Sequence, residues 1–213
     1  MRKYLTIALL LLTFTIQAQD LKSLFITMPD SLSPLLTSVN RQDFGDFLES
    51  NMKAQVRNRL GNSSEMLKMT DNYLKLQLTS VSSLEMKLLA VDDSTRVICV
   101  AKTYQGPVAD TELAFYSTEW KKLDTQQYIQ LPQKNDFFLV PVTQEKKDSL
   151  DYLKKQADMY LVKAELSEKA ETVSFTYTVP DYMEKTSADA LRIYLRKEPL
   201  NYQWHEGTFV VKQ

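Results

Sequence analysis

From Tyr73 to Leu88 the chain alternates with a period of two: Leu74, Leu76 and Leu78 are interleaved with Lys75, Gln77 and Thr79, and Leu84, Met86 and Leu88 with Glu85 and Lys87. Alternate side chains of an extended backbone point to opposite faces, so each run reads as a half-buried strand, and two such runs close together read as an antiparallel pair. The pattern continues through a turn at Asp92-Asp93-Ser94, an apolar strand near 96–103 and a loop at Gln105-Gly106-Pro107. A strand with Leu113 and Phe115 on one face follows, closed by Trp120, then a short fifth one from Tyr128 to Leu131. Residues 71–142 are thus expected to form a first antiparallel β module.

A charged segment near 143–157 interrupts the strands. Leu150, Leu153 and Ala157 make a narrow apolar stripe on it, with Lys146, Lys147, Lys154 and Lys155 balanced by Glu145, Asp148 and Asp151, the pattern of a connecting helix with one face on the body of the fold. Strand signals then resume over 158–213. Leu161 to Leu166 leads to Val173, Phe175, Tyr177 and Val179, then a loop at Pro180-Asp181-Tyr182, a strand with Leu191, Ile193 and Leu195, and a turn at Glu206-Gly207 into Thr208–Val211. The order matches Arg96–Leu131, with Leu113/Tyr116 answered by Leu191/Tyr194, which predicts a duplicated β-meander module.

The N-terminal part reads differently. Arg2-Lys3, an apolar run from Leu5 to Ile16 and a small Ala18 form the pattern of a cleavable export signal over 1–18, too short for a membrane span. Residues 19–70 are expected to be a helical segment packed on the sheets, with Asp30-Ser31 capping a short helix through Leu36 and Asn40 capping a second that carries Phe44, Phe47 and Leu48. The predicted class is α+β, predominantly antiparallel β. Loss of Arg2 and Lys3 takes 26 basic residues to 24 against 27 acids, a net charge of −3, which argues against nucleic acid as a partner. No transmembrane segment is expected in the mature chain.

Little of the sequence carries reaction chemistry. The single histidine, His205, sits at an expected hairpin end, and the single cysteine, Cys99, lies in the apolar run Val97–Ala101, where burial is expected. One imidazole and one thiol on separate runs cannot build a local transition-metal site, and only four glycines are available to shape a nucleophile elbow or a phosphate loop. No cofactor, metal or catalytic residue is therefore assigned. A carboxylate pair acting on glycans is the alternative, because such a pair has no sequence spacing of its own. Aromatic residues give the better binding signal: Tyr104, Tyr182, Tyr202 and Trp204, with Trp120 beside them, fall in or next to expected loops and strand ends, where a flat ring with a polar handle suits a sugar or a protein surface.

Several stretches together resemble a family of exported Bacteroidales proteins known only by a domain-of-unknown-function label. They include Asp46-Phe47-Leu48-Glu49-Ser50-Asn51-Met52-Lys53-Ala54, Phe115-Tyr116-Ser117-Thr118-Glu119-Trp120, Thr176-Tyr177-Thr178-Val179-Pro180-Asp181-Tyr182-Met183 and Tyr202-Gln203-Trp204-His205-Glu206-Gly207. The resemblance implies a periplasmic or extracellular setting and supplies no reaction or site residue. The expectation is a soluble, non-enzymatic binding or assembly protein of the cell envelope, with an envelope protein or a glycan as partner.

Overall fold

The computed structural model describes residues 20–50, 52–141 and 143–212; the export signal read at 1–18 lies outside them. Two antiparallel sheets and the helices packed on them make an α+β fold. The larger sheet is a seven-stranded meander in the order β1 (Gln55–Arg57), β2 (Ser63–Met69), β3 (Tyr73–Thr79), β4 (Ser82–Ala90), β5 (Arg96–Gln105), β6 (Ala109–Ser117) and β7 (Lys122–Leu123). The smaller sheet runs β11 (Thr208–Val211), β10 (Leu200–His205), β9 (Thr172–Tyr177), β8 (Val162–Leu166).

The larger sheet is buried on both faces, each against a different layer. On one face Leu74, Leu76, Met86, Ile98 and Tyr116 pack with Leu24 and Phe25 of helix α1 (Leu21–Thr27) and Phe44 of α2 (Ser38–Glu49). On the other, Leu89, Cys99 and Phe115 meet Phe175, Tyr202 and Trp204 of the smaller sheet, together with Leu150 and Leu153 of α3 (Gln144–Gln156) and Leu191 of α4 (Lys185–Arg192). Such burial on both faces explains why β5 is apolar along its centre, where no alternation appears.

Three expectations for the N-terminal part are corrected. The 30–36 stretch is a series of turns, because the Asp30 carboxylate is held by Arg41 and Arg59 and does not cap a helix. Arg41, almost wholly buried, donates to the carbonyls of Ile26 (3.3 Å), Leu36 (3.0 Å) and Met28 (2.6 Å), which fixes the chain in those turns. Asp20 caps α1 through Ser23 N–H (2.8 Å). Thr37, three residues before the expected Asn40, caps α2, and Asn40 returns the bond to Thr37 N–H, a reciprocal capping box. The segment read as helical to residue 70 contains β1 and β2.

In the second half the strand expected at 191–195 is the end of α4. Leu191 is buried, whereas Ile193 is three-quarters exposed at the helix C-cap. The equivalence of Leu113/Tyr116, on a strand, with Leu191/Tyr194, at a helix end, therefore fails, and with it the match on which the duplication rested. The fifth strand expected at Tyr128–Leu131 is reduced to one parallel bridge, Ile129 to Phe209.

The two sheets meet edge to face. β8, the edge of the smaller sheet, lies across β6, β5 and β4, and its outward amides are taken by side chains of the larger sheet. Val162 N–H donates to Asp110 (3.0 Å), Ala164 N–H to Thr111 (3.0 Å) and Leu166 N–H to Glu85 (2.8 Å). Unpaired strand edges invite further strands, and here side chains close this one.

Candidate functional site

The four aromatic candidates divide between surface and interior. Tyr104, near the end of β5, and Tyr182, after the short 3-10 turn Val179–Asp181, are more than half exposed. Tyr202 and Trp204 are corrected to core positions: both face inward on β10, alternating with Asn201 and Gln203. Trp204 stacks near Phe115 and Tyr128, meets Phe209 edge-on at 4.9 Å, and donates its indole N–H to the Ala90 carbonyl (2.6 Å). The ring of Tyr202 sits edge-on against Phe175 at 5.2 Å, and burial, helped by Asp136, raises its phenol above the ordinary tyrosine value. Trp120 is also buried, its indole N–H donating to the Leu24 carbonyl (3.1 Å).

A double cleft, lined by Tyr202 alone of the four aromatic candidates, lies between β7 and β11. Asp124 caps the 3-10 turn Thr125–Gln127 by accepting Gln126 N–H at 3.1 Å. The turn brings Tyr128 and Ile129 back so that both amides donate to the Thr125 carbonyl. Ile129 is pinned in the core, and Phe209 N–H (2.7 Å) and the Thr208 hydroxyl (3.0 Å) both donate to the Tyr128 carbonyl. After Ile129 the chain leaves β11 and crosses the surface as an extended strip, Gln130 to Gln133.

The strip is anchored at its far end. The Tyr160 hydroxyl donates to the Pro132 carbonyl, Asp136 Oδ2 accepts Gln133 N–H at 2.6 Å, and Arg196 Nε donates to the Asp136 carbonyl at 2.8 Å. An open cleft flanks it on each side. The larger, about 1040 Å³, extends over Lys122, Asp124 and Gln126; the smaller, about 510 Å³, extends to Arg196, Tyr202 and β11. Gln130, Leu131 and Gln133 line both. Among the described residues, the side-chain amides of Gln126 and Gln130 make no hydrogen bond within the chain. Each amide offers two donors and an acceptor to whatever fills the cleft. The fixed charges balance, Lys122 with Asp124 in one cleft and Arg196 with Asp136 in the other.

The remaining reactive groups lie elsewhere. Cys99 is fully buried, and burial pushes its thiol far up, so the thiolate that a nucleophile needs is suppressed. His205 is exposed at the β10–β11 turn beside Glu206. Buried Glu85 and Lys87 face the smaller sheet and are already engaged: Glu85 accepts Leu166 N–H of β8 (2.8 Å) and pairs with Lys75 of β3 (2.7 Å), and Lys87 donates to the Glu168 carbonyl between β8 and β9 (2.9 Å). Among the described residues no group of three or more His, Cys, Asp or Glu could hold a metal ion, and no helix is long and apolar enough to cross a membrane.

A family model described as "Protein of unknown function (DUF3256)" matches residues 13–209, which includes the lining of both clefts except Val210 and Val211 of β11. The chain belongs to this family. Its fold is that of a solved structure, a domain of an uncharacterized protein from Porphyromonas gingivalis W83, which is 31% identical over 92% of this chain and 100% of the other, with a TM-score of 0.80. No curated protein matches the chain. Porphyromonas gingivalis is a member of the Bacteroidales, in keeping with the resemblance drawn from the residues, and the DUF3256 description carries no activity. The cleft itself left one trace in the sequence: Gln126, Gln127, Gln130 and Gln133 crowd into eight residues beside Pro132.

Proposed function

We propose that this protein is an exported, non-catalytic binding module of the bacterial cell envelope that holds its partner in the double cleft around Gln130–Gln133. The observation that carries the reading is the pair of adjoining clefts whose shared strip is anchored at both ends while the Gln126 and Gln130 amides stay free. A preformed recess with unspent hydrogen-bonding groups is what a binding site requires, and binding needs no nucleophile. Arg2-Lys3, the apolar run to Ile16 and Ala18 support export. The hydrolase alternative has less behind it: the larger cleft is lined by one carboxylate, Asp124, and the smaller by one, Asp136, whereas glycoside hydrolysis needs two flanking a single bond.

Hydrogen exchange of the full mature chain, with and without an extract of the periplasm and outer membrane, tests the binding claim. Slower exchange confined to 122–136 and 208–211 is the expected result; unchanged exchange there would count against it. Recovery of the tagged chain from the cytosol, with its leader intact, would overturn export.

A further inference from the structure

We infer that the ligand of the double cleft is an uncharged, hydroxyl-rich oligosaccharide lying across the Gln130–Gln133 strip, an inference that rests on the binding reading above. Size and shape come first. Two open recesses of about 1040 and 510 Å³, sharing Gln130, Leu131 and Gln133, suit a chain several units long better than one compact molecule.

The lining chemistry points the same way. Sugar hydroxyls both donate and accept, and so do the free amides of Gln126 and Gln130, while the exposed Leu131 offers an apolar face to ring C–H groups. The balance of Lys122 with Asp124, and of Arg196 with Asp136, leaves no excess charge to select a uronate, a phosphate or a polycation.

An extended peptide is the competing ligand, and the usual way to bind one is to add it as a strand to a sheet edge. Two sheet edges border the clefts: β7 is only two residues long, and β11 already meets the chain itself through Phe209 N–H to the Tyr128 carbonyl and the Ile129 bridge. The opposite edge, β8, has its outward amides bonded to Asp110, Thr111 and Glu85.

The test is titration of the mature chain with a panel of neutral oligosaccharides built from hexoses, pentoses and N-acetylhexosamines. A uronic-acid panel and a peptide library run beside it. Saturable binding of at least one neutral member, weakened roughly tenfold or more by Gln130→Ala and by Gln126→Ala, is the expected result. Neither side chain bonds within the chain, so both variants should melt as the parent does, which separates lost contact from lost fold. Binding confined to uronates or peptides, or neutral binding indifferent to both substitutions, would overturn the inference.

The extract experiment distinguishes this failure from that of the broader reading. Exchange protection of 122–136 that survives protease treatment of the extract and disappears after periodate oxidation supports a glycan. The reverse pattern overturns the glycan and leaves the binding site standing. No protection by any extract removes both.

Discussion

Glu85 spans the two sheets: rooted in β4 of the larger one, its Oε2 accepts the amide of Leu166 on β8 at 2.8 Å, while Oε1 pairs with Lys75 at 2.7 Å. The carboxylate is buried and Lys75 partly exposed, so the ion pair alone is a modest stabiliser. The larger effect is that two groups depend on one acceptor.

Replacing Glu85 by leucine strands a buried N–H and an ammonium together. The expected loss is about 2–3 kcal/mol of unfolding free energy, read from urea denaturation. Glu85→Gln keeps an acceptor for Leu166 and should lose less than half as much. Equal losses would show that the amide bond contributes nothing beyond the charge.

The β10–β11 hairpin closes through Glu206 and Gly207, both with positive φ (47° and 80°). That is the two-residue turn that matches strand twist, and glycine meets it without strain. A Cβ at 207 would also stand 3.0 Å from Val91 Cγ1. Gly207→Ala is expected to cost about 1–2 kcal/mol, whereas Glu206→Asn, better suited to a left-handed backbone, should gain about 0.5 kcal/mol. Thermal melts of the two variants should move in opposite directions.

Cys99 should be silent toward a thiol reagent in the folded protein and react fully once denatured. Burial holds the thiol protonated and closes the path to it. Labelling of the native chain at a rate above that of global unfolding would show a local opening of β5.

Acid should loosen the turn at Val91–Thr95. The amide and hydroxyl of Ser94 and the amide of Thr95 converge on Asp92 Oδ1 at 2.8–2.9 Å, lowering its carboxyl from 3.8 to about 2. A carboxyl depressed by folding stabilises the native state above the unfolded value. That contribution is complete above about pH 4 and is lost as the pH falls toward about 2. The melting-temperature gap between the parent and Asp92→Ala should therefore be widest near neutrality and shrink across that window. A gap that grows on acidification would contradict the assignment.

What the sequence disclosed follows from how directly each element states its environment. β3 and β4 were legible because Leu74, Leu76, Leu84 and Met86 face one core while polar residues take the other side. β2 was not, because its inward positions include a serine, Ser64, while Leu67 points to solvent. Helix α4 reads as a strand because Leu191, Ile193 and Leu195 alternate, yet Ile193 is exposed at the helix C-cap. Tyr202 and Trp204 alternate with Asn201 and Gln203, the period of inward-facing residues, although they stand close to the Glu206-Gly207 turn. The clefts had no comparable signature. Amide side chains keep no periodicity, and what shapes the recess is the distant anchoring of the strip by Tyr160 and Arg196.

The Trp120 indole that donates to Leu24 joins residues 96 positions apart, and the nonpolar bed under α1 is built from strands as late as Ala114–Tyr116. Among the described residues, the earliest helix is thus fully housed only once Trp120 has been made. Until more than half the polypeptide has emerged, Leu21, Leu24 and Phe25 lack part of their dry bed, so the nascent chain carries an oily handle that a holding chaperone could grip.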